Sequence, residues 1–193
     1  VRWYKKPTKG HTYIVSLDPS LGTGGDPAAI QVFEADTTEQ VAEWRHNKTD
    51  VPTQVKILAD IVKEIHDVTK NDKTIYYSIE NNTLGEAALI AISEIGEENI
   101  PGIFLSEPAR VGHSRSYRKG FTTTNKTKLA VCAKFKALVE TKKMTIASSN
   151  LISELKTFVA HGTSFAAKLG ETDDLVMAAL LVVRIDRKST RLN

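Results

Sequence analysis

The chain has 193 residues, enough to bury the core of one domain, which we place at residues 1–185. The apolar fraction of 41% and the charged fraction of 25% are ordinary for a soluble globular protein. No apolar stretch reaches the length of a transmembrane helix, and the single cysteine excludes a disulfide framework and favours a reducing compartment.

The first predicted elements are strands. Three strand patterns lie close enough together to predict an antiparallel meander. They cover residues 12–17, 28–35 and 39–46. Apolar residues then recur at helical spacing from Val55 to Val68, which predicts an amphipathic helix. Another strand is expected at 74–80.

Helices dominate the second half. Thr83 and Glu86 have capping-box spacing and predict the start of a helix that stops at Gly96. The remaining predicted elements are a strand at 102–105, a helix at 125–141, a strand at 144–147, a helix at 149–159, a strand at 165–169 and a helix at 173–185. We exclude residues 186–193 from the fold as a disordered tail or a remnant of cloning. The missing initiator Met suggests an excised part of a longer protein.

Meander strands followed by alternating helices and strands predict an α/β fold. The sheet is expected to be mixed, with an antiparallel three-strand meander, further parallel strands and helices on both faces. This order of elements resembles the ribonuclease H arrangement.

Three acidic positions, distant in sequence, each lie at the edge of an apolar element. Asp18 ends the first strand, Glu80 ends the strand at 74–80, and Asp173 and Asp174 open the last helix. Carboxylates that converge repel one another, and a bound divalent metal is the usual reason to keep them together. Taken singly, each acid is explained equally well as a helix cap or a solvated strand end.

Residues 110–128 contain several bases and no acid. Lysine and arginine neutralise phosphates without reading base sequence, so this loop is the candidate DNA-binding surface. Its candidate residues are Arg110, His113, Arg115, Arg118, Lys119, Lys126 and Lys128. The alternative is a solvated run of charge.

Three short motifs together point to one family. They are LDPSLGTGGD at residues 17–26, IENN at 79–82 and GETDDLVMA at 170–178. In order and spacing they resemble the nuclease domain of the large terminase subunit of tailed phages, particularly its T-even-like branch. The resemblance covers residues 12–185 and implies a metal-dependent DNA endonuclease that cuts concatemeric viral DNA at the start and end of genome packaging, in the cytoplasm of the infected bacterium.

The chemistry of phosphodiester hydrolysis favours two metal ions at such a site, and the resemblance implies Mg²⁺, with Mn²⁺ as a substitute. Asp18 is the expected bridging ligand, Glu80 is expected on one ion and Asp174 on the other. Asp173 assists or caps the helix. Asp26 matches an accessory acid of the family, and is equally well explained as a turn residue.

The resemblance also implies partners. These are double-stranded DNA, the packaging ATPase domain of the full-length protein, the portal and the small terminase subunit, and no membrane. The chain itself lacks the G-x-x-x-x-G-K-[ST] motif of a packaging ATPase. The alternatives are another ribonuclease H-fold nuclease (a junction resolvase, ribonuclease H or transposase) and an inactive DNA-docking module of the packaging motor. An actin-like phosphotransferase would need a second domain, for which the chain is too short.

Overall fold

The computed structural model describes residues 1–82, 84–107 and 119–189. Its six-stranded main sheet contains β1 (Arg2–Trp3), β2 (Tyr13–Asp18), β3 (Ala28–Glu34), β4 (Glu39–His46), β5 (Ile75–Ile79) and β6 (Ile103–Phe104). A separate hairpin contains β7 (Phe158–His161) and β8 (Ser164–Ala167). The helices are α1 (Val51–Thr69), α2 (Gly85–Ile95), α3 (Asn125–Glu140), α4 (Ser149–Thr157) and α5 (Asp174–Ser189).

The main sheet is mixed, as predicted. Its strand order is β1-β4-β3-β2-β5-β6. The first four strands in that order pair antiparallel; β5 then pairs in parallel with β2, and β6 pairs in parallel with β5. In the β2–β5 register Leu17 lies opposite Ile79, so the acids that follow, Asp18 and Glu80, lie at the same edge of the sheet.

The two faces of the sheet are covered by different helices because side chains alternate along a strand. Tyr13, Val15 and Leu17 of β2 belong to the apolar layer under α1 and α2. Ile14 belongs to the layer under α3, α4 and α5. Ser16 lies on that same face and donates a hydrogen bond to the carbonyl of Ala178 in α5, at 2.7 Å. Alternation therefore places Asp18 on the α5 face.

Local capping chemistry fixes the starts of three helices. The side chain of Asp50 accepts from the backbone N–H of Thr53 at the start of α1, where Pro52 costs no hydrogen bond. Thr124 and Thr127 form a reciprocal capping box on α3, and Ser148 caps α4. The α2 helix differs from the prediction, since its cap residue is Leu84, which makes no side-chain cap bond, and Thr83 lies outside the described residues.

The predicted strand at 144–147 is wrong. Thr145 forms only an isolated bridge with Glu39. The side-chain oxygen of Gln40 accepts from the backbone N–H groups of Ala147 and Ser148, at 2.9 and 2.8 Å, and turns the chain into α4 instead. The next predicted helix ends early, at Thr157, because the chain enters β7.

Two further differences concern the ends of the chain. The strand β1 was not predicted, and α5 continues to Ser189, beyond its predicted end at residue 185. No helix in the described part of the chain combines the length and hydrophobicity that crossing a bilayer requires.

Candidate functional site

Asp18 and Glu80 form a pair at the carboxyl edge of the sheet. The backbone N–H of Glu80 donates to the carbonyl of Leu17 at 2.9 Å, and the two carboxylates lie within hydrogen-bonding reach of each other. Glu80 is buried, with 7% of its surface exposed. Burial, and then the charge of Glu80, raise the pKa of Asp18 well above its ordinary value. Burial and this repulsion therefore favour the protonated form of Asp18 when no cation is bound.

Asp174, the first residue of α5, joins this pair. Its charge and that of Asp173 both contribute to the raised pKa of Asp18. Burial, and then the charge of Glu154, raise the pKa of Asp174 itself to about 7. The fold thus brings acids from β2, the end of β5 and the start of α5 into one electrostatic cluster.

Asp173 is engaged differently from Asp174. One of its carboxylate oxygens accepts from the backbone N–H of Ala167 in β8, at 3.3 Å, and lies 3.8 Å from Nζ of Lys128 in α3. Its carbonyl accepts from the N–H of Met177, so Asp173 stands at the cap position of α5. These bonds favour Asp174 over Asp173 as the group free to bind a cation.

Asp26 lies on the exposed loop between β2 and β3. Its charge contributes to the raised pKa of Asp174, so the loop reaches the cluster from the side of α5. The side chain of Gln54 binds both backbone groups of Ser20 and anchors the loop, at 3.2 and 2.7 Å. Gly22 is required there: its φ is +71°, and an added Cβ would lie 2.0 Å from the carbonyl oxygen of Thr49.

The carboxylate of Glu80 is oriented by the residues that follow it. Nδ2 of Asn82 donates to Oε1 of Glu80 at 3.0 Å, and Oδ1 of Asn82 accepts from the backbone N–H of Thr123 at 3.2 Å. The N–H of Asn81 donates to the carbonyl of Phe121 at 2.8 Å. The segment at 121–123 therefore extends the sheet beside the end of β5 and supports Glu80.

Arg184 is a largely buried cation that sequence reasoning missed. It lies on α5 with 12% of its side chain exposed, pairs with Glu107, and donates to Oγ1 of Thr123 and the carbonyl of Thr122, both at 3.2 Å. Its guanidinium lies 5.0 Å from the ring centre of Phe121. Burial lowers its pKa, while the charges of Glu107 and Glu80 raise it. The signal that the sequence offered was a single arginine directly after the apolar run of α5.

Glu154 of α4 was also missed. It is buried, with 5% exposed, and accepts from Nη1 of Arg45 at 2.6 Å, from Oγ1 of Thr172 at 3.2 Å and from the backbone N–H of Val176 at 3.2 Å. Burial raises its pKa, and the bond from Arg45 opposes that rise. The sequence offered no signal, because Glu154 sits among the charged residues of an ordinary amphipathic helix.

The candidate DNA-binding residues divide into two sets. Arg110, His113, Arg115 and Arg118 lie outside the described residues. Lys119 pairs with Glu97 at 2.5 Å, and Lys128 lies beside Asp173 and 5.3 Å from the ring centre of Phe158. Lys126 is exposed at the start of α3.

The two ends of the loop that carries these bases meet beside β5. The backbone N–H of Glu107 donates to the carbonyl of Gly120, and the N–H of Gly120 donates to Oγ of Ser106, both at 3.0 Å. Nδ2 of Asn81 donates to the carbonyl of Lys119 at 2.8 Å. The base of the loop is therefore fixed next to the residue that follows Glu80.

A second group of titratable residues lies at the opposite end of β2 and β3. It consists of His11, Glu34 and Asp36, whose ligand atoms lie within 4.8 Å of one another. Glu34 already pairs with Nζ of Lys5 at 3.1 Å and accepts from Thr37. We therefore regard this group as an ion-pair network that anchors the N-terminal segment.

Comparisons with known proteins identify the family and the fold of the chain. Residues 15–183 match the family described as "Terminase RNaseH-like domain". The large terminase nuclease from thermophilic phage G20c, solved with bound magnesium, is similar at a TM-score of 0.68 and 16% identity, over 94% of this chain and 85% of that one. The Thermus phage P74-26 large terminase nuclease domain matches at 0.60 and 16%, over 92% and 88%. The human cytomegalovirus terminase nuclease domain matches at 0.60 and 15%, over 95% and 86%. At these identities the likeness establishes a shared ribonuclease H-like fold.

Proposed function

The chain belongs to the terminase RNase H-like domain family, and from that membership and its carboxylate cluster we propose that it is a metal-dependent DNA endonuclease of viral genome packaging. One observation carries the proposal. Asp18, Glu80 and Asp174 come from three distant elements, yet they belong to one electrostatic cluster. Burial and the charges of Glu80 and Asp174 raise the pKa of Asp18, and burial and the charge of Glu154 raise the pKa of Asp174. Clustered acids of this kind destabilise a domain that has only a structural role. In a domain that binds divalent cations, the same acids serve as ligands.

The donor set fits Mg²⁺. It consists of carboxylate oxygens alone, which hard cations prefer, and Mn²⁺ is an expected substitute. The G20c nuclease has been solved with magnesium, with cobalt and with zinc. We propose that Asp18, Glu80 and Asp174 would hold the metal, with Asp173 and Asp26 as supporting acids. The chemistry that bound metal would supply at these residues is activation of a water molecule and stabilisation of the departing oxygen.

The remaining residues of the site orient these ligands and bind the substrate. Asn82 and the segment held by Arg184 fix the carboxylate of Glu80. Glu154 fixes the first turn of α5, and with it Asp174. Lysines and arginines of the loop at 110–128 are proposed to bind phosphates, which places a DNA backbone across the cluster without base readout.

The substrate we propose is double-stranded concatemeric viral DNA, cut when packaging starts and ends in the cytoplasm of the infected cell. In the full-length protein this domain would follow the packaging ATPase domain. The portal and the small terminase subunit are the proposed further partners. This assignment rests on family membership.

The test is cleavage of supercoiled plasmid with Mg²⁺, with Mn²⁺ and with excess chelator. Asp18→Asn, Glu80→Gln and Asp174→Asn should each abolish metal-dependent cleavage, and double variants should be little worse than single ones because the acids act as a unit. Asp67→Asn, at an exposed acid of α1, is the matched control and should cleave normally. Cleavage that persists in chelator or in all three variants would overturn the proposal.

A substrate panel separates the related nucleases. Preference for linear and supercoiled duplex over a four-way junction and an RNA–DNA hybrid is expected. Preference for the junction would indicate a resolvase, and preference for the hybrid a ribonuclease H. DNA binding without cleavage in either metal would indicate a docking module.

A further inference from the structure

A pocket of about 450 Å³ opens on the other side of β5 from the carboxylate cluster. It is lined by Asp72, Tyr77, Glu97, Glu98, Ile100, Pro101 and Gly102. Tyr77 belongs to the apolar layer under α1 and α2, so the pocket reaches the face of the sheet opposite α5. The proposed nuclease chemistry does not use this pocket.

The pocket contains a buried polar group without a partner. Tyr77 is 0% exposed, and its hydroxyl makes no hydrogen bond with any residue in the described ranges. Buried tyrosine hydroxyls usually find a partner, because an unpaired one loses its bonds to water. Burial, and then the charge of Glu97, raise the pKa of Tyr77, so the hydroxyl is neutral and can accept a hydrogen bond.

Three carboxylates line the pocket together with Tyr77, and two of them already have partners at the rim. Glu97 pairs with Nζ of Lys119 at 2.5 Å, and Asp72 lies 3.3 Å from Nε2 of His66. Glu98, the third, is exposed. The acids would repel an anion, and an apolar ligand would leave the hydroxyl of Tyr77 unpaired. A positively charged group that only donates hydrogen bonds satisfies both the acids and the hydroxyl.

We propose that this pocket binds an ammonium or guanidinium group, supplied either by a basic side chain of a protein partner or by a free polyamine. The cation pairs with Glu97 and Glu98 and donates to the hydroxyl oxygen of Tyr77. This binding does not depend on nuclease activity, so it stands or falls separately from the proposed function.

The position of Lys119 gives the pocket a route to the DNA-binding loop. An incoming cation competes with Lys119 for Glu97. The carbonyl of Lys119 accepts from Asn81, the neighbour of Glu80. Occupation of the pocket therefore frees a lysine at the base of the loop, next to the carboxylate cluster.

The experiment is an NMR titration of the ¹⁵N-labelled domain at constant ionic strength. The probes are spermidine, Nα-acetyl-lysine N-methylamide and, as an uncharged control, Nα-acetyl-norleucine N-methylamide. Both amines should shift the amides of Gly96, Glu97 and Gly102, and the norleucine compound should not. A larger response to spermidine identifies a polyamine as the source, and a larger response to the blocked lysine identifies a protein side chain.

Variants show whether the pocket itself is responsible. Glu97→Gln combined with Glu98→Gln should weaken amine binding at least tenfold, whereas Glu94→Gln, at an exposed acid of α2, should leave it unchanged. Shifts spread over all surface acids, or equal affinity in the double variant, would overturn the proposal.

Tyr77→Phe gives an independent readout, since phenylalanine keeps the ring and removes only the hydroxyl. We expect a higher thermal midpoint, because a buried unpaired group disappears, together with amine binding at least threefold weaker. A lower midpoint with unchanged amine binding would show that the hydroxyl serves the fold, and would contradict its role as a ligand.

Discussion

Glu154 of α4 accepts a hydrogen bond from the backbone N–H of Val176 in the first turn of α5, at 3.2 Å. The first N–H groups of a helix have no partner within the helix, and the helix dipole favours an anion at that end. The anion at the start of α5 is the carboxylate of Glu154, which lies on α4 and is bound by Arg45 at 2.6 Å. Asp174 is thus positioned by an acid that also repels it, which is one cause of its raised pKa.

Glu154→Gln should therefore have two effects. The free energy of unfolding should fall by about 1–2 kcal/mol, because the charged acceptor at the helix start is lost and Arg45 loses its partner. The pKa of Asp174 should fall, because a neighbouring negative charge has gone. Denaturant unfolding and carboxyl-carbon NMR measure the two. Glu171→Gln, at an exposed acid in the same part of the chain, is the control, and matching results for both variants would contradict the role of Glu154.

The stability of the metal-free protein should fall as the pH rises from about 4 to about 7. The pKa of Asp174 is raised from 3.8 to about 7 in the fold, so in this range the folded state binds more protons than the unfolded state. The stabilisation is complete below about 4 and is lost as the pH rises through the folded-state pKa. Asp18, whose pKa is also raised, acts in the same direction.

Asp174→Asn isolates the share of one residue. At pH 7 in chelator the variant should be more stable than the wild type by on the order of 1 kcal/mol, after allowance for solvent screening of a partly exposed group. The difference should shrink towards pH 4. Guanidinium unfolding of both proteins across this range measures it, and parallel stability profiles would contradict the raised pKa of Asp174.

Local patterns predicted the strands that carry the cluster, and their alternation accounts for the shared face. Asp18 and Glu80 each follow an apolar run, and parallel pairing of those runs places both at one edge. The contacts of Glu154 and Arg184 were not predictable in the same way. Their partners, Arg45 and Glu107, are distant in sequence, and only packing of α4 and α5 on the sheet brings them together.

The strand expected at 144–147 shows a related limit. The apolar residues of this segment suit a strand. However, the buried side chain of Gln40 in β4 binds two backbone N–H groups at the end of the segment and turns the chain into α4. A side chain that accepts hydrogen bonds from backbone N–H groups can override local strand propensity. Which side chain does so depends on tertiary contacts, so local sequence patterns do not reveal it. The ribonuclease H-like sheet was predictable because it depends on strand order and alternation.

Arg184→Met should destabilise the domain by about 2 kcal/mol or more, since it leaves Glu107 and the carbonyl of Thr122 without their donor. The loss should stay below that for a fully buried pair, because 34% of the Glu107 side chain is exposed. Lys134→Met, which breaks a partly exposed ion pair between α3 and Asp186 of α5, should cost under about 1 kcal/mol. Urea unfolding compares them, and equal losses would contradict the structural role of Arg184.

The described lysines should differ in their contribution to DNA binding, if the proposed function holds. Lys126 is exposed, so Lys126→Gln should flatten the dependence of log affinity on log salt by about 0.9, the value of one phosphate contact. Lys119→Gln should change the slope less, because Lys119 is partly neutralised by Glu97. Lys128, 15% exposed beside Asp173, should affect the start of α5 more than the slope.

Salt titrations of DNA binding on two unrelated duplexes measure these slopes. A change confined to one duplex would mean base readout, and an unchanged slope for Lys126→Gln would leave it a solvated charge.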